Sequence, residues 1–252
     1  MIKIENTEVV GWEPAIRGMR NPMNSWDKSD SRWGFPKNPV CEGCERSCQL
    51  CEEPAVLDEA FIIGLNDHDL MMRLCKAGSA DAKFRRFIVC YADITGPLYW
   101  LKEMDTYRMG VEKNSCSTMH KIASKEFTLE DFSLEHLGYL DLDDSRDVDE
   151  QNLDDVLAHS VYGMYPTDDL LQTIDMLNGA RKLFLETGNK HYWWQMIQLL
   201  PSSYNQRRTY MFSYEALSKI YRERRNHKLD EWHQFCDWVE TLPYSEIITL
   251  KE

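Results

Sequence analysis

The sequence predicts an α+β protein, mostly helical with a small mixed or antiparallel sheet. Residues 84–95 are rich in β-branched and aromatic side chains and favour a strand, and residues 2–10 form a candidate edge strand. The second half of the chain is dominated by apolar residues at helical spacing. A mostly helical chain with few strands indicates the α+β class. At 252 residues and without an internal repeat, it fits a single domain.

Composition and charge exclude several classes of protein. Hydrophobic residues make up 43% of the chain and aromatic residues 12%, which argues against disorder. No run of about 18 apolar residues is present, and the first residues lack the pattern of a signal peptide. The net charge of −13 argues against non-specific binding of duplex nucleic acid. We therefore expect a cytoplasmic protein with neither a membrane nor a nucleic-acid partner.

Helices are predicted where apolar spacing lies between a capping residue and a breaker. The first helix starts at Asn66 or Asp67 and ends at Gly78, and the second starts at Pro97 and breaks around Gly110. The third runs from Thr167 to Gly188, and a short fourth helix ends before Pro201. The fifth runs from Ser202 or Ser203 to about Arg225, and the last has four inward-facing residues, Leu229, Trp232, Cys236 and Val239.

An acidic segment separates the two halves of the chain. Residues 141–155 hold eight Asp or Glu and one Arg. Such a charge run is typical of a solvated loop rather than a metal site. We expect an acidic loop over 141–166 within one domain that spans residues 1–252.

The eight cysteines fall into two groups. Without a secretion signal they are expected to be reduced, and Cys75, Cys90, Cys116 and Cys236 are expected to pack as small apolar side chains. The other four, Cys41, Cys44, Cys48 and Cys51, lie in an insertion over residues 40–54. Four thiolates can hold one tetrahedral Zn²⁺, although three residues between the pairs is short for a zinc ribbon. A structural zinc, a loop without metal and an iron–sulfur or redox role all stay open.

Residues 207–228 form a basic stretch, with seven Lys or Arg against two Glu in an acidic chain. Arginine is favoured where planar, bidentate recognition of anions matters, so a phosphate or nucleotide site is one interpretation. The other is a solvated helix face, on which Arg224 and Arg225 compensate the helix dipole.

Residues 105–120 place hydroxyl side chains, Asn114 and Cys116 between Arg108 and His120. Hydroxyl and amide groups suit hydrogen bonding to a polar ligand, or the capping of structural elements. Cys116 or Ser117 could act as a nucleophile, but the sequence identifies no base for either.

These segments together resemble the flavin-dependent thymidylate synthases. The motifs, in order, are G-P-L-Y-W, then T-Y-R-x-G-x-x-x-N-S-C-S-T-M, then L-L-P and L-x-x-I-Y-x-x-R-x-x-H-x-L-x-E-W. The resemblance covers roughly residues 60–125 and 185–240. It implies an α+β homotetramer with active sites between subunits. It also implies FAD, dUMP, methylenetetrahydrofolate and a reduced nicotinamide, with the flavin passing reducing equivalents while a one-carbon unit becomes the thymine methyl.

The chain departs from the family pattern at several ligand contacts. Of the family's R-H-R triplet only Arg108 is kept, and the N-E-x-S-x-R motif keeps Asn114 and Ser117 but ends in Met119. Glu103 stands in the place of a Gln, and an Arg before the L-P falls near Ile197 or Gln198. Two further positions near the flavin are Ala80 and Ala82. Loss of a charge-assisted phosphate contact costs about 1.5–3 kcal/mol, and Glu103 would repel a phosphate.

The resemblance assigns roles to the residues that remain. Arg224 would be catalytic, stabilising negative charge on the pyrimidine. Arg108, Asn114 and His227 would bind the cofactor, and Ser117 and Arg208 would bind the substrate. Two alternatives remain: a nucleotide-binding or regulatory protein without flavin chemistry, and an enzyme that acts on another pyrimidine nucleotide. Aromatic residues also favour an oligomer. Together, Trp193, Trp194, Tyr210 and Tyr214 give more aromatic surface than one small sheet needs.

If the four clustered cysteines hold zinc, the metal should copurify at about one per chain, and replacing any one of them by serine should release it. Elemental analysis of protein prepared without chelator measures this. Neither zinc nor iron in that preparation would contradict both metal interpretations.

Overall fold

The computed structural model describes residues 1–34, 60–137 and 166–250. The cysteine-rich insertion at 40–54 and the acidic segment 141–155 lie outside these residues, so the predictions made for them stay predictions. Pro166, the last residue of the predicted acidic loop, begins a helix.

A four-stranded antiparallel sheet organises the fold, in the order β1-β4-β6-β5. A separate antiparallel pair is formed by β2 and β3. The strands are β1 (Lys3–Val10), β2 (Arg32–Gly34), β3 (Ala60–Ile62), β4 (Val89–Pro97), β5 (Val111–Ser115) and β6 (Asn205–Ser213). The predicted fold class is confirmed, and β1 is the edge strand that the sequence indicated.

Helices cover the sheet and form an additional hairpin. They are α1 (Trp12–Arg20), α2 (Leu65–Ala77), α3 (Leu98–Met104), α4 (Thr118–Lys121), α5 (Pro166–Thr187), α6 (Lys190–Leu199), α7 (Tyr214–Arg224), α8 (Asp230–Glu240) and α9 (Glu246–Thr249). The helix predicted to break around Gly110 ends earlier, at Met104, and the N-cap of α2 is Gly64 rather than Asn66 or Asp67.

Residues 205–213 form strand β6, whereas the sequence predicted a helix that starts at Ser202 or Ser203. Side chains alternate along β6: Arg208, Tyr210 and Phe212 are buried, whereas Arg207 and Thr209 are exposed. Pairing with β4 on one side and β5 on the other satisfies its backbone. Helix α7 starts only at Tyr214, where the Ser213 hydroxyl accepts a hydrogen bond from the Ala216 amide.

The main core lies between the sheet and the C-terminal helices. It contains Trp100, Tyr210, Phe212, Trp232 and Phe235, whose rings contact one another at centroid distances of 5.1–6.1 Å. Tyr210 was counted towards an aromatic surface, which is wrong because it is buried. Tyr214 was also counted there, but its helical spacing with Leu217 predicts a core position, and it is buried. Trp194 is 46% exposed, as expected of a surface side chain.

A second apolar cluster joins the helical hairpin to the rest of the chain. Leu170, Ile174 and Leu177 of α5 and Met196 of α6 pack with Phe127 and neighbouring side chains. The cluster therefore fixes the segment that follows α4, which matters for the site described below.

Three of the four scattered cysteines are buried as predicted. Burial raises the pKa of Cys75 and of Cys236 to about 11, and that of Cys90 to about 12. Cys116 is exposed instead, because it follows the last residue of β5 at the mouth of a cavity.

A buried ion pair holds the N-terminal segment on α2. Arg20 Nε lies 2.6 Å from Asp67 Oδ1, and both side chains are at most 5% exposed. The hydroxyls of Ser29 and Ser31 donate to the other oxygen of Asp67. Burial alone would raise the pKa of Asp67, but these hydroxyls and Arg20 outweigh it and hold that pKa below its usual value. None of the helices in the described ranges is long and apolar enough to span a membrane.

Replacing Asp67 by Ala should lower the free energy of unfolding by about 3 kcal/mol or more, because the Arg20 charge would stay buried without its partner. Urea denaturation measures the change. The stabilisation from Asp67 should be present above pH 4 and decline as the pH falls through its lowered pKa.

Asp69→Ala is the matched control, since Asp69 is an exposed residue of the same helix. Equal losses for the two variants would show that the buried ion pair does not stabilise the fold.

Candidate functional site

Five residues form a cluster at the C-terminal end of α3, here called the α3 cluster: Glu103, Tyr107, Arg224, His227 and Trp232. One oxygen of Glu103, Oε2, lies 3.0 Å from Trp232 Nε1, 3.1 Å from Arg224 Nη1 and 3.5 Å from His227 Nε2. A single carboxylate oxygen thus gathers three nitrogens from α8, from the end of α7 and from the turn between them.

Aromatic side chains fix the orientation of Arg224. Its guanidinium lies 4.8 Å from the Trp232 ring centroid and 5.6 Å from that of Tyr107. Its Nε donates to the Tyr107 hydroxyl at 2.9 Å, and that hydroxyl donates to Glu223 at 2.8 Å. Burial and the bond to Glu223 raise the pKa of Tyr107 to about 12. Arg224 is therefore a positioned cation, 21% exposed, rather than a solvated one.

The turn between α7 and α8 orients His227. Its Nδ1 accepts a hydrogen bond from the backbone N–H of Leu229 at 3.2 Å. A neutral imidazole that accepts at Nδ1 carries its proton on Nε2, the nitrogen that faces Glu103.

Arg208 reaches the same end of α3 from the sheet. Its Nη1 lies 2.6 Å from Asp105 Oδ1, and its Nε donates to Gln206 Oε1 at 2.9 Å. Asp105 also pairs with Lys113. The charge of Arg208 is thus neutralised within the chain, and the side chain is only 9% exposed.

A cavity of about 390 Å³ lies beyond the ends of β4 and β5 and the start of β6. Its polar lining combines hydroxyls, amides, cations, carboxylates and one thiol. These are Thr95, Cys116, Ser117, Thr118, Lys121, Ser124, Lys125, Glu130, Asp131, Tyr204, Asn205, Gln206 and Arg207. Its volume falls in the range of small-molecule sites.

Local hydrogen bonds shape the rim of the cavity. The Ser117 hydroxyl accepts the His120 amide at 3.2 Å and so caps α4. Gln206 Nε2 donates to the Cys116 carbonyl at 2.7 Å and to the Thr118 hydroxyl at 3.0 Å, which ties this segment to β6. Asn205 Oδ1 is buried and has no hydrogen-bond partner among the described residues. A buried acceptor of this kind is costly unless a ligand or water satisfies it.

The cations around the cavity differ in how they are paired. Arg207 Nη2 lies 2.7 Å from Asp93 Oδ2, and Lys125 pairs with Asp131. Hydrogen bonds from Thr209, Asn6 and Arg207 hold the pKa of Asp93 well below its usual value. Lys121 has no ion pair with any described residue.

The structure brings together only some of the residues that were predicted to form the site. Arg224 and His227 lie together, and Ser117 lines the cavity. The side chains of Arg108 and Asn114 are exposed, without a hydrogen-bond or ion-pair partner in the described part of the chain. Arg208, which was predicted to bind the substrate, pairs with Asp105 near the α3 cluster and does not line the cavity. Its neighbour Arg207 does line the cavity. The predicted ligands Cys41, Cys44, Cys48 and Cys51 lie outside the described residues, among which no group of metal-binding side chains is found.

Sequence reasoning missed Lys121, Asn205 and the acceptor role of Glu103. The period-two alternation of β6 could have separated Arg207 from Arg208, had that stretch been identified as a strand. No sequence signal indicates that Glu103 meets both Arg224 and Trp232, because that contact is a product of the tertiary fold.

Several solved structures share this fold. Two structures of thymidylate synthase X from Helicobacter pylori, a flavin-dependent enzyme solved with FAD and dUMP, superpose with TM-scores of 0.57 and 0.58 at 14% sequence identity. They cover 99% and 98% of this chain, and 100% and 98% of their own lengths are matched. A UMP/dUMP methylase, PolB from Streptomyces cacaoi bound with 5-Br UMP, gives a TM-score of 0.52 at 11% identity, over 99% of this chain and 94% of its own.

No protein-family model matches the sequence, and no curated protein sequence matches it. At such low identities the likeness concerns the fold. The chain therefore has an α+β fold similar to that of flavin-dependent thymidylate synthase, as the sequence predicted.

Glu103→Ala should lower the free energy of unfolding by about 1–3 kcal/mol, because the buried indole N–H of Trp232 would lose its acceptor. Denaturant unfolding followed by tryptophan fluorescence measures this.

Glu103→Gln keeps an acceptor oxygen for the indole and should cost clearly less. The interpretation of Glu103 as the acceptor that organises the α3 cluster would be wrong if both variants were as stable as the unchanged protein.

Proposed function

We propose that this chain binds a pyrimidine nucleoside monophosphate and FAD, and that it methylates dUMP reductively to dTMP with methylenetetrahydrofolate and a reduced nicotinamide. The proposal rests on the position of Arg224, whose guanidinium is held by the rings of Tyr107 and Trp232. The family resemblance assigns to this arginine the contact with the pyrimidine. The solved neighbours of the same fold were obtained with dUMP or with 5-Br UMP, which supports a pyrimidine nucleotide.

The cavity suits the nucleotide by its chemistry. The hydroxyl groups of Ser117, Thr118 and Ser124 line the cavity together with the guanidinium of Arg207, a residue of β6. The unsatisfied Asn205 Oδ1 offers an acceptor to a ligand N–H or O–H.

Arg224 would act on the pyrimidine. A guanidinium stays protonated at all physiological pH values, so it can stabilise negative charge that develops on the ring without giving up a proton. His227 Nε2–H, beside Glu103, would donate a hydrogen bond to a neighbouring acceptor.

Two exposed side chains of this chain are suited to bind a flavin. Arg108 and Asn114 are exposed and keep free donors, and such donors suit the diphosphate and polar ring edge of FAD. When bound, the flavin supplies the reducing equivalents for the transfer of the one-carbon unit. The task of the protein is then to hold the nucleotide, the flavin and the one-carbon donor in a fixed relation and to exclude water.

The proposal includes a homotetramer with shared sites. Arg224 belongs to the α3 cluster and Ser117 to the cavity, so one chain presents two partial sites. Exposed apolar side chains on the helical hairpin, among them Met176, Leu183, Trp194 and Leu199, offer a surface for another copy.

A second candidate is a nucleotide-binding or regulatory protein without flavin chemistry. Its specific support is that Arg224 and Arg208 are already paired with Glu103 and Asp105. Polar residues of the family are replaced here by Ala80, Ala82 and Met119, which also supports a protein without flavin chemistry. An enzyme acting on another pyrimidine nucleotide would use the same cavity.

Arg224→Ala should abolish turnover and weaken dUMP binding by about tenfold or more, since a positioned guanidinium is lost. Arg224→Lys should weaken binding less, because the charge remains while the planar fork is lost. Calorimetry with dUMP measures binding, and absorbance near about 450 nm reports bound oxidised flavin.

Arg222→Ala is the control, on another face of the same helix. Equal behaviour of Arg222→Ala and Arg224→Ala would contradict the role of Arg224. Colourless protein that takes up no FAD but binds dUMP would favour the second candidate. If sites are shared, mixed oligomers of Arg224→Ala and Ser117→Ala chains should regain dUMP binding that neither variant shows alone.

A further inference from the structure

The chain lacks the arginine that ends the family's N-E-x-S-x-R motif. Met119 stands at that position, is 49% exposed and carries no charge. A phosphate bound near Ser117 would therefore have to find its cation elsewhere, because a dianion is poorly held by hydroxyl groups alone.

We propose that Lys121 supplies this charge and is the phosphate-binding residue of the cavity. The inference rests on the proposed function, since it assigns a residue to the phosphate of the nucleotide bound there. Lys121 lies two residues beyond Met119, at the end of α4, and lines the cavity together with Ser117.

The pairing of the other cations leaves this role to Lys121. Lys125 is held by Asp131, and that hydrogen bond raises the pKa of Lys125. Arg207 is held by Asp93. Of the cations that line the cavity, Lys121 is the one without a carboxylate partner among the described residues, so a phosphate can bind it without breaking an existing ion pair.

Hydroxyl groups beside Lys121 complete a suitable site. The Ser117 oxygen accepts the His120 amide, which leaves its own hydrogen free to donate to a phosphate oxygen. The Ser124 hydroxyl instead donates to the Lys121 carbonyl at 2.7 Å, which fixes the turn that follows α4. Asp131 pairs with Lys125 and Glu130 also interacts with its charge, so a phosphate at Lys125 would meet two carboxylates.

The test compares a ligand with a phosphate and one without it. Calorimetric titrations of the full chain with dUMP and with deoxyuridine should show that Lys121→Ala weakens dUMP binding about ten- to hundredfold. Deoxyuridine binding should stay unchanged, because the lost contact is to phosphate. Lys219→Ala, which removes an exposed lysine of α7 that does not line the cavity, should change neither affinity.

A rescue variant makes the assignment specific. Lys121→Arg should restore most of the dUMP affinity, because it returns a cation to the same position in the lining of the cavity. Unchanged dUMP affinity in Lys121→Ala would overturn the assignment of Lys121 while leaving the proposed function intact. Equal weakening of dUMP and deoxyuridine would likewise overturn it. If the unchanged protein binds neither dUMP, UMP nor dCMP, the proposed function fails and the assignment fails with it.

Discussion

Strand β6 imposes the constraint on which the site depends. Because β6 is hydrogen-bonded to β4 and to β5, its backbone cannot rotate, and its side chains must alternate between two faces. Arg208 therefore points into the protein towards Asp105, and Arg207 points outward towards Asp93 and the cavity. Two adjacent arginines that look equivalent in the sequence thus lie on opposite faces of the strand and have different partners.

The C-terminal end of α3 carries the second constraint. Glu103 and Asp105 neutralise Arg224 and Arg208, and Glu103 also accepts the buried indole N–H of Trp232. Unpaired, these arginines would be costly at their degree of burial, so the carboxylates stabilise the fold. The same pairing lowers the positive charge that an anionic ligand would meet. An anionic ligand would therefore meet more unpaired positive charge at the cavity, where Lys121 has no ion pair with any described residue.

Local sequence patterns predicted the parts of the fold that local physics determines. The apolar spacing of α5 and α8 and the breakers after α5 and α6 predicted these elements. The β-branched residues predicted β4, which begins at Val89 rather than at residue 84 because Lys83–Arg86 form a 3-10 helix. Strand β6 was missed because Ser202 and Ser203 look like helix caps, and only pairing with β4 and β5 reveals the strand. Arg224 and His227, three residues apart, could be predicted to lie together. Their contact with Glu103 could not, because it joins distant parts of the chain.

The most direct test of the account is whether a pyrimidine nucleotide occupies the cavity that Cys116 lines. Alkylation of Cys116 can be followed by peptide mass spectrometry with and without saturating dUMP, with buried Cys75, Cys90 and Cys236 as internal controls. The account predicts that dUMP slows alkylation of Cys116 about tenfold or more and leaves the three buried cysteines as they were. An unchanged rate at Cys116, at dUMP concentrations that saturate binding measured by calorimetry, would contradict it.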